Sequence, residues 1–402
     1  MLWSREIADA WRRLPMWLVL VAALAVLLAL VAWGDGRTAS CDFQDFVEYW
    51  GAGRLNLVGE NPYDPATLFP LERTASPSLT DAIMMWNPPW TLPLVMPFGL
   101  LSASAGYTLW LAIQLFIVLV CADWLWSFYG GPARLRWVGL LASLGFVPTL
   151  FVFRMGQISP LILLAITGFL YFERRGWGTL AGAAVALAAI KPHLVLVFGA
   201  AVFLWVIRGR KWSVLLGALA TLSVLTGLAV AFNPQVLSHY ASAMGNRPPQ
   251  WLSPTLGSAL RVMFGVEHFR LQFVFPALGL GWLVFYWLAG RKSWNWAREA
   301  PLLLLVSFLT APYGAWPFDL VILLVPLVQC TSWVVGDRQR STIVFAAATY
   351  ISFDVIAFMM RNIHYTQYYW YAWMTPMLLF GYLSLRKDAW ERAMDTPKFA
   401  PA

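Results

Sequence analysis

The residues best suited to chemistry lie just after the first apolar segment of the chain. Asp42, Asp45, Glu48 and Tyr49 occur together there. The spacing i, i+3, i+7 places Asp42, Asp45 and Tyr49 on one face of a short helix lying along the membrane surface. Carboxylates beside lipid are costly and usually serve a function, such as taking a proton from a hydroxyl group. The structural alternative is that Asp42 caps this helix and Asp45 occupies the third position of a capping box.

Two basic residues lie at predicted ends of membrane spans, on the same side as these carboxylates. Lys191 directly precedes a proline, and Arg154 stands two residues before Gly156-Gln157. A cation there can hold a phosphate on which negative charge develops. The alternative is that each side chain simply extends to the lipid headgroups. Arg361 and Arg247 are weaker candidates of the same kind, and surface charge is the simpler interpretation for both.

Other polar and aromatic side chains of this surface are candidates for a substrate groove. Gln157 can hydrogen-bond a sugar, although a buried helix-end cap is equally consistent with its position. His193 and His364 are ionisable, but a lone histidine is more often structural than a ligand. Aromatic rings either stack on a sugar or belong to the interfacial belt of a membrane protein. The remaining groove candidates are Tyr63, Trp86, Tyr313 and Asp319.

The elements that must position these residues are membrane-spanning helices. The 402 residues are 60% hydrophobic and only 12% charged, with a mean hydropathy of +0.63. Soluble domains contain about 25% charged residues. Apolar runs close to the length that crosses about 30 Å of hydrocarbon recur along the chain. We therefore predict an all-α polytopic membrane protein with about 12 transmembrane helices, at residues 14–33, 105–126, 137–153, 158–172, 178–190, 193–207, 212–232, 271–290, 300–312, 317–335, 342–360 and 370–385.

The distribution of charge predicts the topology. Most of the 28 Lys and Arg residues fall in alternate short loops, and loops of that kind face the cytoplasm. Both termini are then cytoplasmic, including the tail at residues 386–402. The extracytoplasmic side receives a first large loop at residues 34–90, bearing short juxtamembrane helices, and a second at residues 233–270. We predict one integral membrane domain over residues 1–402, with its chemistry on the extracytoplasmic face.

Composition and spacing argue against several kinds of partner. The excess of basic residues follows the membrane topology, so nucleic acid is not an expected partner. The three cysteines form no CxxC pattern and no even set, which indicates neither a disulfide framework nor a zinc site. Although Asp42, Asp45 and Glu48 lie close together, no set of oxygen ligands with recognised spacing appears. We expect no metal and no other cofactor, and the sequence predicts no oligomeric state.

Several motifs, taken in order, resemble those of glycosyltransferase family 87. The resemblance covers roughly residues 15–385. The motifs are Asp45-Phe46-x-x-Tyr49-Trp50-x-Ala52, Gly59-x-Asn61-Pro62-Tyr63-Asp64, Trp86-x-Pro88-Pro89-Trp90, Leu94-x-x-Pro97-Phe98, Gly156-Gln157-Ile158-Ser159-Pro160 and Ala188-Ala189-Ile190-Lys191-Pro192-His193.

This resemblance implies a membrane enzyme of the GT-C fold in a cell inner membrane or plasma membrane. The implied activity moves a hexose or pentose, with mannose as the expected sugar, from a polyprenyl-phosphate sugar to a glycolipid or glycan acceptor. The resemblance also implies that Asp45 is the base and that Lys191 belongs to the Leu-Lys-Pro element of the family. Only one carboxylate position matches the family, so a single inverting displacement is expected rather than the two-carboxylate retaining arrangement.

One segment departs from the family pattern. Members of the family often carry Ser-Pro-x-Ser-Trp-x-His-His in a late outer loop. Here that region is Thr310-Ala311-Pro312-Tyr313-Gly314-Ala315-Trp316-Pro317-Phe318-Asp319. The histidines are missing and Asp319 is the only acidic side chain, so a histidine-assisted mechanism is not expected.

Two alternative functions compete with a transferase. A lipid or sugar transporter, or a flippase, usually contains internal repeats and charged residues near the membrane midplane. This sequence shows no repeat, and Asp354 is one of few charges inside the predicted spans. A noncatalytic membrane scaffold would not require the ordered motifs.

Overall fold

A computed structural model describes residues 45–245, 252–337, 339–363 and 365–395 of the chain. Within these ranges the elements are helices, and no β-strand is present, so the predicted all-α fold is confirmed. The predicted first span at residues 14–33 lies outside the described residues, as do Asp42, Arg247 and His364.

The described residues form two compact units, each discontinuous in the sequence. The first unit is drawn from residues 1–120, 151–191 and 212–248, and the second from residues 121–150, 192–211 and 249–402. The prediction of one domain over residues 1–402 stays a prediction.

Helices account for most of the described chain. In chain order the α-helices are α1 (Phe46–Leu57), α2 (Pro65–Ala75), α3 (Leu92–Gly99), α4 (Ala103–Phe128), α5 (Arg136–Gly145), α6 (Val147–Met155), α7 (Ser159–Arg174), α8 (Gly178–Ala186), α9 (Leu196–Gly209), α10 (Trp212–Phe232), α11 (Val236–Gly245), α12 (Leu256–Phe264), α13 (Val274–Gly290), α14 (Trp296–Leu309), α15 (Leu324–Asp337), α16 (Arg340–Met359) and α17 (Met374–Asp395). Short 3₁₀ helices lie at Pro89–Thr91, Ala133–Leu135, Leu187–Ile190, Pro192–Val195, Phe269–Phe273, Asp319–Leu323, Met360–Asn362 and Tyr365–Trp373.

Several of these helices are long and apolar enough to cross a membrane. Within the described part of the chain there are six, at Ala103–Phe128, Pro192–Gly209, Trp212–Phe232, Phe269–Gly290, Asp319–Gly336 and Arg340–Asn362. A seventh results if α5 and α6, which are bent by 57° at the break between them, form one span. Helices α7, α8 and α14 overlap predicted spans, but each is shorter than any of these six helices. The count of about 12 spans therefore stays a prediction.

Helix α1, which follows Asp45 directly, is longer and more buried than the predicted surface helix. Phe46, Val47, Tyr49 and Trp50 are each at most 4% exposed. These side chains share one side of the helix, but Glu48 and Leu55 on the other side are also at most 9% exposed. A surface helix keeps one polar face in water. The prediction of a helix lying along the surface was wrong here, because α1 is buried on both sides.

The first unit brings α1 and α3 into backbone contact through two glycines. A Cβ atom on Gly53 would lie 2.8 Å from the carbonyl oxygen of Val95, and one on Gly99 would lie 2.6 Å from the backbone nitrogen of Arg54. Small residues allow this close approach in membrane proteins. The C-terminal half of α1 is thereby held against α3.

Helix α8, which leads toward Lys191, is fixed in the same manner against α10. A Cβ atom on Gly182 would lie 1.9 Å from the carbonyl oxygen of Val214, and one on Gly217 would lie 2.1 Å from the carbonyl oxygen of Thr179. Because the two backbones touch, α8 cannot slide along α10 without a clash. This contact sets the position of the segment that carries Lys191.

In the second unit, buried side chains satisfy backbone groups at helix starts. Ser307 Oγ accepts a hydrogen bond from the backbone N–H of Phe198 at 3.0 Å. Asp354 Oδ1 accepts one from the backbone N–H of Val147 at 2.9 Å, at the first residue of α6. The first N–H groups of a helix lack intrahelical acceptors, and Asp354 supplies one of them. This charge within the predicted spans therefore has a structural role.

Helix α2 buries a carboxyl group in the first unit. The side chain of Glu72 is fully buried, and its Oε2 accepts a hydrogen bond from the backbone N–H of Ile83 at 2.9 Å. Among the described residues its Oε1 has no hydrogen-bond partner. Burial raises the pKa of Glu72 from 4.5 to about 7, and the bond from Ile83 opposes this rise only in part.

We expect the substitution Glu72→Gln to remove a pH dependence of stability. The native carboxyl keeps its proton up to about pH 7, whereas the unfolded chain loses it near the ordinary pKa of 4.5. The native state binds more protons in this window, so the free energy of unfolding falls as pH rises through it, by up to about 3 kcal/mol. Melting curves of detergent-solubilised protein from about pH 5 to about pH 9 measure this fall, which should be smaller in the variant.

The control is Glu60→Gln, because Glu60 is exposed. It should follow the wild-type curve. If Glu72→Gln also followed that curve at every pH, the buried-acid account of Glu72 would be wrong.

Candidate active site

The side-chain amide of Gln157 lies between a carboxylate and an ammonium group in the first unit. Its Nε2 donates a hydrogen bond to Asp45 Oδ2 at 2.5 Å. Its Oε1 accepts one from Lys191 Nζ at 2.9 Å and one from Tyr49 Oη at 2.9 Å. Three of the predicted site residues thus meet around the fourth, although Asp45 and Lys191 are far apart in the sequence.

The chemistry of these partners sets the orientation of the amide. An ammonium only donates, so the amide oxygen must face Lys191. A carboxylate only accepts, so the amide nitrogen must face Asp45. The reverse orientation would oppose like groups at both charged contacts, which fixes the Gln157 side chain in one orientation.

Gln157 itself is held by two side chains one turn apart on α4. Trp110 Nε1 donates to the carbonyl oxygen of Gly156 at 2.7 Å, and Gln114 Nε2 donates to the carbonyl oxygen of Gln157 at 2.6 Å. Residues four apart on a helix share a face, so both donors reach the same short connection between α6 and α7.

Gly156 has a conformation and a location that exclude a larger residue. Its φ is 67°, in the left-handed region that favours glycine. A Cβ atom there would lie 2.8 Å from Cβ of Phe46, the first residue of α1. The glycine therefore lets the segment carrying Gln157 pass directly over the start of α1, beside Asp45.

Lys191 is positioned by the double-proline segment. Trp90 Nε1 donates to the carbonyl oxygen of Ala189 at 3.1 Å, and Asn87 Nδ2 donates to that of Ile190 at 3.1 Å. The last carbonyl groups of a helix lack intrahelical donors, and these two side chains supply them. Lys191 follows directly, and its side chain is 9% exposed.

Tyr63 supports this arrangement from a further motif. Its Oη donates to the carbonyl oxygen of Asn87 at 3.0 Å, and its ring is 3% exposed. Tyr63 thus holds Asn87, which in turn holds the carbonyl group preceding Lys191. Trp86, the other candidate of this region, is half-buried beside Asn87.

Asp45 makes no capping hydrogen bond to α1. It is the residue before the first helical one, yet its side chain accepts from no backbone N–H of the first turn. Its φ of −72° and ψ of −13° are helical, and an N-cap residue that accepts from the helix normally has an extended backbone. The carboxylate accepts from Gln157 instead. The capping-box interpretation pairs Asp45 with Asp42, which lies outside the described residues, so it stays a prediction.

Glu48 is a buried acid to which the sequence analysis assigned no role in a site. It lies one turn after Asp45 on α1 and is 8% exposed. Burial is the largest cause that raises the pKa of Glu48 well above 4.5, the negative charge of Asp45 is the next, and Lys191 opposes both. A second carboxyl group therefore belongs to this site, and it holds its proton more strongly than an ordinary glutamic acid.

Two other features of the site escaped the sequence analysis. Asn87 lies inside the motif Trp86-x-Pro88-Pro89-Trp90. The adjacent double proline removes backbone donors, and this could have indicated that Asn87 acts as a capping side chain. Gln114 is a polar residue inside an apolar helix, and polar residues within membrane spans commonly have a function. Neither Asn87 nor Gln114 could be linked to its partner by spacing alone.

The structure leaves Arg154 exposed near the end of α6. Its role as a phosphate ligand stays a prediction. No group of three or more His, Cys, Asp or Glu side chains within the described ranges is arranged to hold a metal ion.

The remaining candidates belong to the second unit. Tyr313 packs against His193 with ring centroids 5.2 Å apart. Asp319 is fully buried, and its Oδ2 accepts from the backbone N–H of Trp316 at 3.1 Å. Arg361 Nη1 donates to the carbonyl oxygen of Phe358 at 3.0 Å, which ties it to the end of its own helix. Their roles in a groove stay predictions.

The comparison with known families concerns the segment that carries Gln157 and Lys191. The model of glycosyltransferase family 87 matches residues 86–312, more than half of the chain. The chain belongs to glycosyltransferase family 87. No curated protein and no solved structure matches it. The family match begins after Asp45, so the contact between Asp45 and Gln157 is what links the acid to the matched segment.

Membership of family 87 indicates a glycosyltransferase, and the geometry offers the groups that sugar transfer requires. A half-buried carboxylate can take a proton from a hydroxyl group, and a buried ammonium can stabilise a negative leaving group. The N-terminus of α7 begins at Ser159, to which Lys191 Nζ donates at 3.4 Å. The positive end of that helix adds to the potential that favours an anion here.

We expect Gly156→Ala to destabilise this family 87 site by more than the strain of an alanine at positive φ. Alanine at this φ costs about 1 to 2 kcal/mol, and the contact with Phe46 adds a steric penalty. Gly176→Ala is the matched control, because Gly176 has a φ of 74° but no atom within 4 Å of its Cβ position. Melting temperature and sugar transfer should both fall further for Gly156→Ala, whereas equal losses would show that the approach to Phe46 is unimportant.

Proposed function

We propose that this chain transfers a sugar from a polyprenyl-phosphate sugar to a hydroxyl group of a glycolipid or glycan acceptor. The observation that carries the proposal is the bridge Asp45–Gln157–Lys191. It holds a carboxylate and an ammonium on opposite ends of one side-chain amide. A displacement at a sugar carbon needs these two groups on opposite sides of the reacting centre.

In the proposed reaction Asp45 takes the proton of the acceptor hydroxyl group. The acceptor oxygen forms a bond to the anomeric carbon while the bond from that carbon to the phosphate oxygen breaks, and the electron pair leaves with the phosphate. The phosphate needs no proton to depart, and the Lys191 ammonium stabilises its additional charge. One displacement of this kind inverts the anomeric centre, and it uses one carboxylate rather than a nucleophile and an acid.

The amide between the two charges supports this assignment. Gln157 gives each charge a hydrogen bond that does not neutralise it. Both groups are then held in place and remain able to act on opposite ends of the reacting bond.

The finer features of the proposal follow the sequence and the family. We place the reaction on the extracytoplasmic face of a cell inner membrane or plasma membrane, with both termini in the cytoplasm, in a GT-C-type bundle of about 12 spans. Mannose is the expected sugar. The positive-inside distribution of Lys and Arg supports this side of the membrane.

The substitution Asp45→Asn tests the base. Asparagine can still accept a hydrogen bond from Gln157, so the fold should be kept while transfer falls about 10²- to 10⁴-fold. The assay is sugar transfer from polyprenyl-phosphate sugars in membranes, with expression and melting temperature measured in parallel. Binding of the donor should persist.

The control applies the same substitution to a carboxylate outside the site. Asp64 caps α2 by accepting from the backbone N–H of Ala66 at 3.0 Å, and asparagine caps helices as well as aspartate does. Asp64→Asn should keep full transfer. Retained transfer in folded Asp45→Asn would remove Asp45 from the mechanism, and a wild-type protein inactive with every donor would favour a transporter.

The substitution Lys191→Met tests the phosphate ligand. Loss of a charge-assisted hydrogen bond should raise KM for the donor about 10- to 100-fold, with a smaller effect on KM for the acceptor. Arg73→Met is the control, because Arg73 is an exposed residue of α2. Arg154→Met should change the donor KM less than Lys191→Met does. An unchanged donor KM in Lys191→Met would contradict the assignment.

A further inference from the structure

Three carboxyl groups lie in a row at α1: Asp45 precedes this helix, Glu48 is on it, and Glu72 is on α2. Asp45 and Glu48 are three residues apart, and Gly51 follows after three more. A Cβ atom on Gly51 would lie 3.4 Å from Cδ2 of Leu68, 3.5 Å from Cγ of Glu72 and 3.8 Å from its Oε1. Glu72 therefore packs, together with Leu68, against α1 at Gly51. Positions three apart on a helix are neighbours, with Cβ atoms about 5 to 6 Å apart.

Burial increases along this row. Asp45 is half-buried, Glu48 is 8% exposed and Glu72 is fully buried. Lys191 is the cation that interacts with the middle member, Glu48. Three ionised carboxylates beside one ammonium would leave a net charge of about −2 in a poorly solvated place, which is strongly unfavourable. Protons on the inner two groups remove that charge.

We propose that Glu48 is a positioning residue that acts as a neutral acid between Asp45 and Glu72, so that Asp45 is the one carboxylate of the row facing Lys191 and the donor phosphate. This inference rests on the proposed function. It assigns to Glu48 the task of keeping negative charge away from the place where the phosphate binds.

The charge balance of the proposed reaction explains why this matters. Before transfer, Asp45 carries one negative charge and the phosphodiester of the donor carries another. After transfer, Asp45 holds the acceptor proton and the polyprenyl phosphate carries two negative charges beside Lys191. An ionised Glu48 would repel the donor as it binds and would oppose the charge that develops on the leaving phosphate.

The groups that face Glu48 act on its proton in both directions. Burial is the first cause that raises the pKa of Glu48, and the charges of Asp45 and Glu72 also raise it. A hydrogen bond from Tyr49 and the charge of Lys191 lower it. As pH rises through this pKa, a second negative charge appears in the site, and donor affinity should fall.

The test is the pH dependence of KM for a polyprenyl-phosphate sugar. In the wild type we expect this KM to rise about 10-fold or more at alkaline pH. In Glu48→Gln, which keeps the shape and neutrality of the acid, KM should stay level over the same range. Glu48→Asp, which keeps an ionisable group, should retain the alkaline rise.

A rise that persists unchanged in Glu48→Gln would overturn the proposal, because a group other than Glu48 would then be titrating. A rise that disappears in Glu48→Asp as well as in Glu48→Gln would also overturn it, since Glu48→Asp keeps an ionisable group. Such results would leave the proposed function standing. A wild-type protein without transfer at any pH would instead refute the proposed function.

A second variant covers the case in which Glu48→Gln does not fold. Glu72→Gln removes a neighbouring charge that raises the pKa of Glu48. The alkaline rise of KM should therefore begin at a lower pH in Glu72→Gln than in the wild type. A rise at the same pH in both proteins would show that Glu48 is not the titrating group, whereas a purely structural role for Glu48 predicts no shift.

Discussion

The rest of the site depends on one side-chain amide that satisfies two opposite charges at once. Gln157 lies between Asp45 and Lys191 and offers a donor to one and an acceptor to the other. Its two ends cannot be exchanged without opposing like groups. The acid and the cation are therefore both oriented by the same side chain.

This bridge is possible because backbone geometry brings three distant segments to one place. Gly156 lets the connection between α6 and α7 cross the start of α1, which sets Gln157 beside Asp45. Asn87 and Trp90 complete the carbonyl groups that end the helix before Lys191, which sets the ammonium on the other side. Most residues of the motifs that resemble glycosyltransferase family 87 thus serve to position the backbone. Few of their residues bear charge. Of these, Asp45 and Lys191 are joined by the bridge, and Asp64 caps α2.

The helices were predictable from sequence because long apolar runs leave little choice, and α10 begins and ends where the apolar run at residues 212–232 does. Gln157 and Lys191 were named because each is a polar or ionisable side chain at a predicted span end. Asp45 was named for its helical spacing with Asp42 and Tyr49 and for its place in a motif of the family. Their mutual contacts were not predictable, because spacing along the chain does not reveal which loops meet. Glu48 was passed over because the i, i+3, i+7 pattern drew attention to Asp42 and Tyr49 instead. Its importance depends on burial and on Glu72, neither of which is visible in the sequence.

The most direct test of the central claim is a density map of the protein bound to a polyprenyl-phosphonate sugar that cannot be transferred. The account predicts that the phosphonate group lies within hydrogen-bond distance of Lys191 Nζ and that the anomeric carbon of the sugar faces the Asp45 carboxylate. A ligand whose phosphonate is held by other side chains, with the bridge through Gln157 undisturbed and remote from the sugar, would contradict the account.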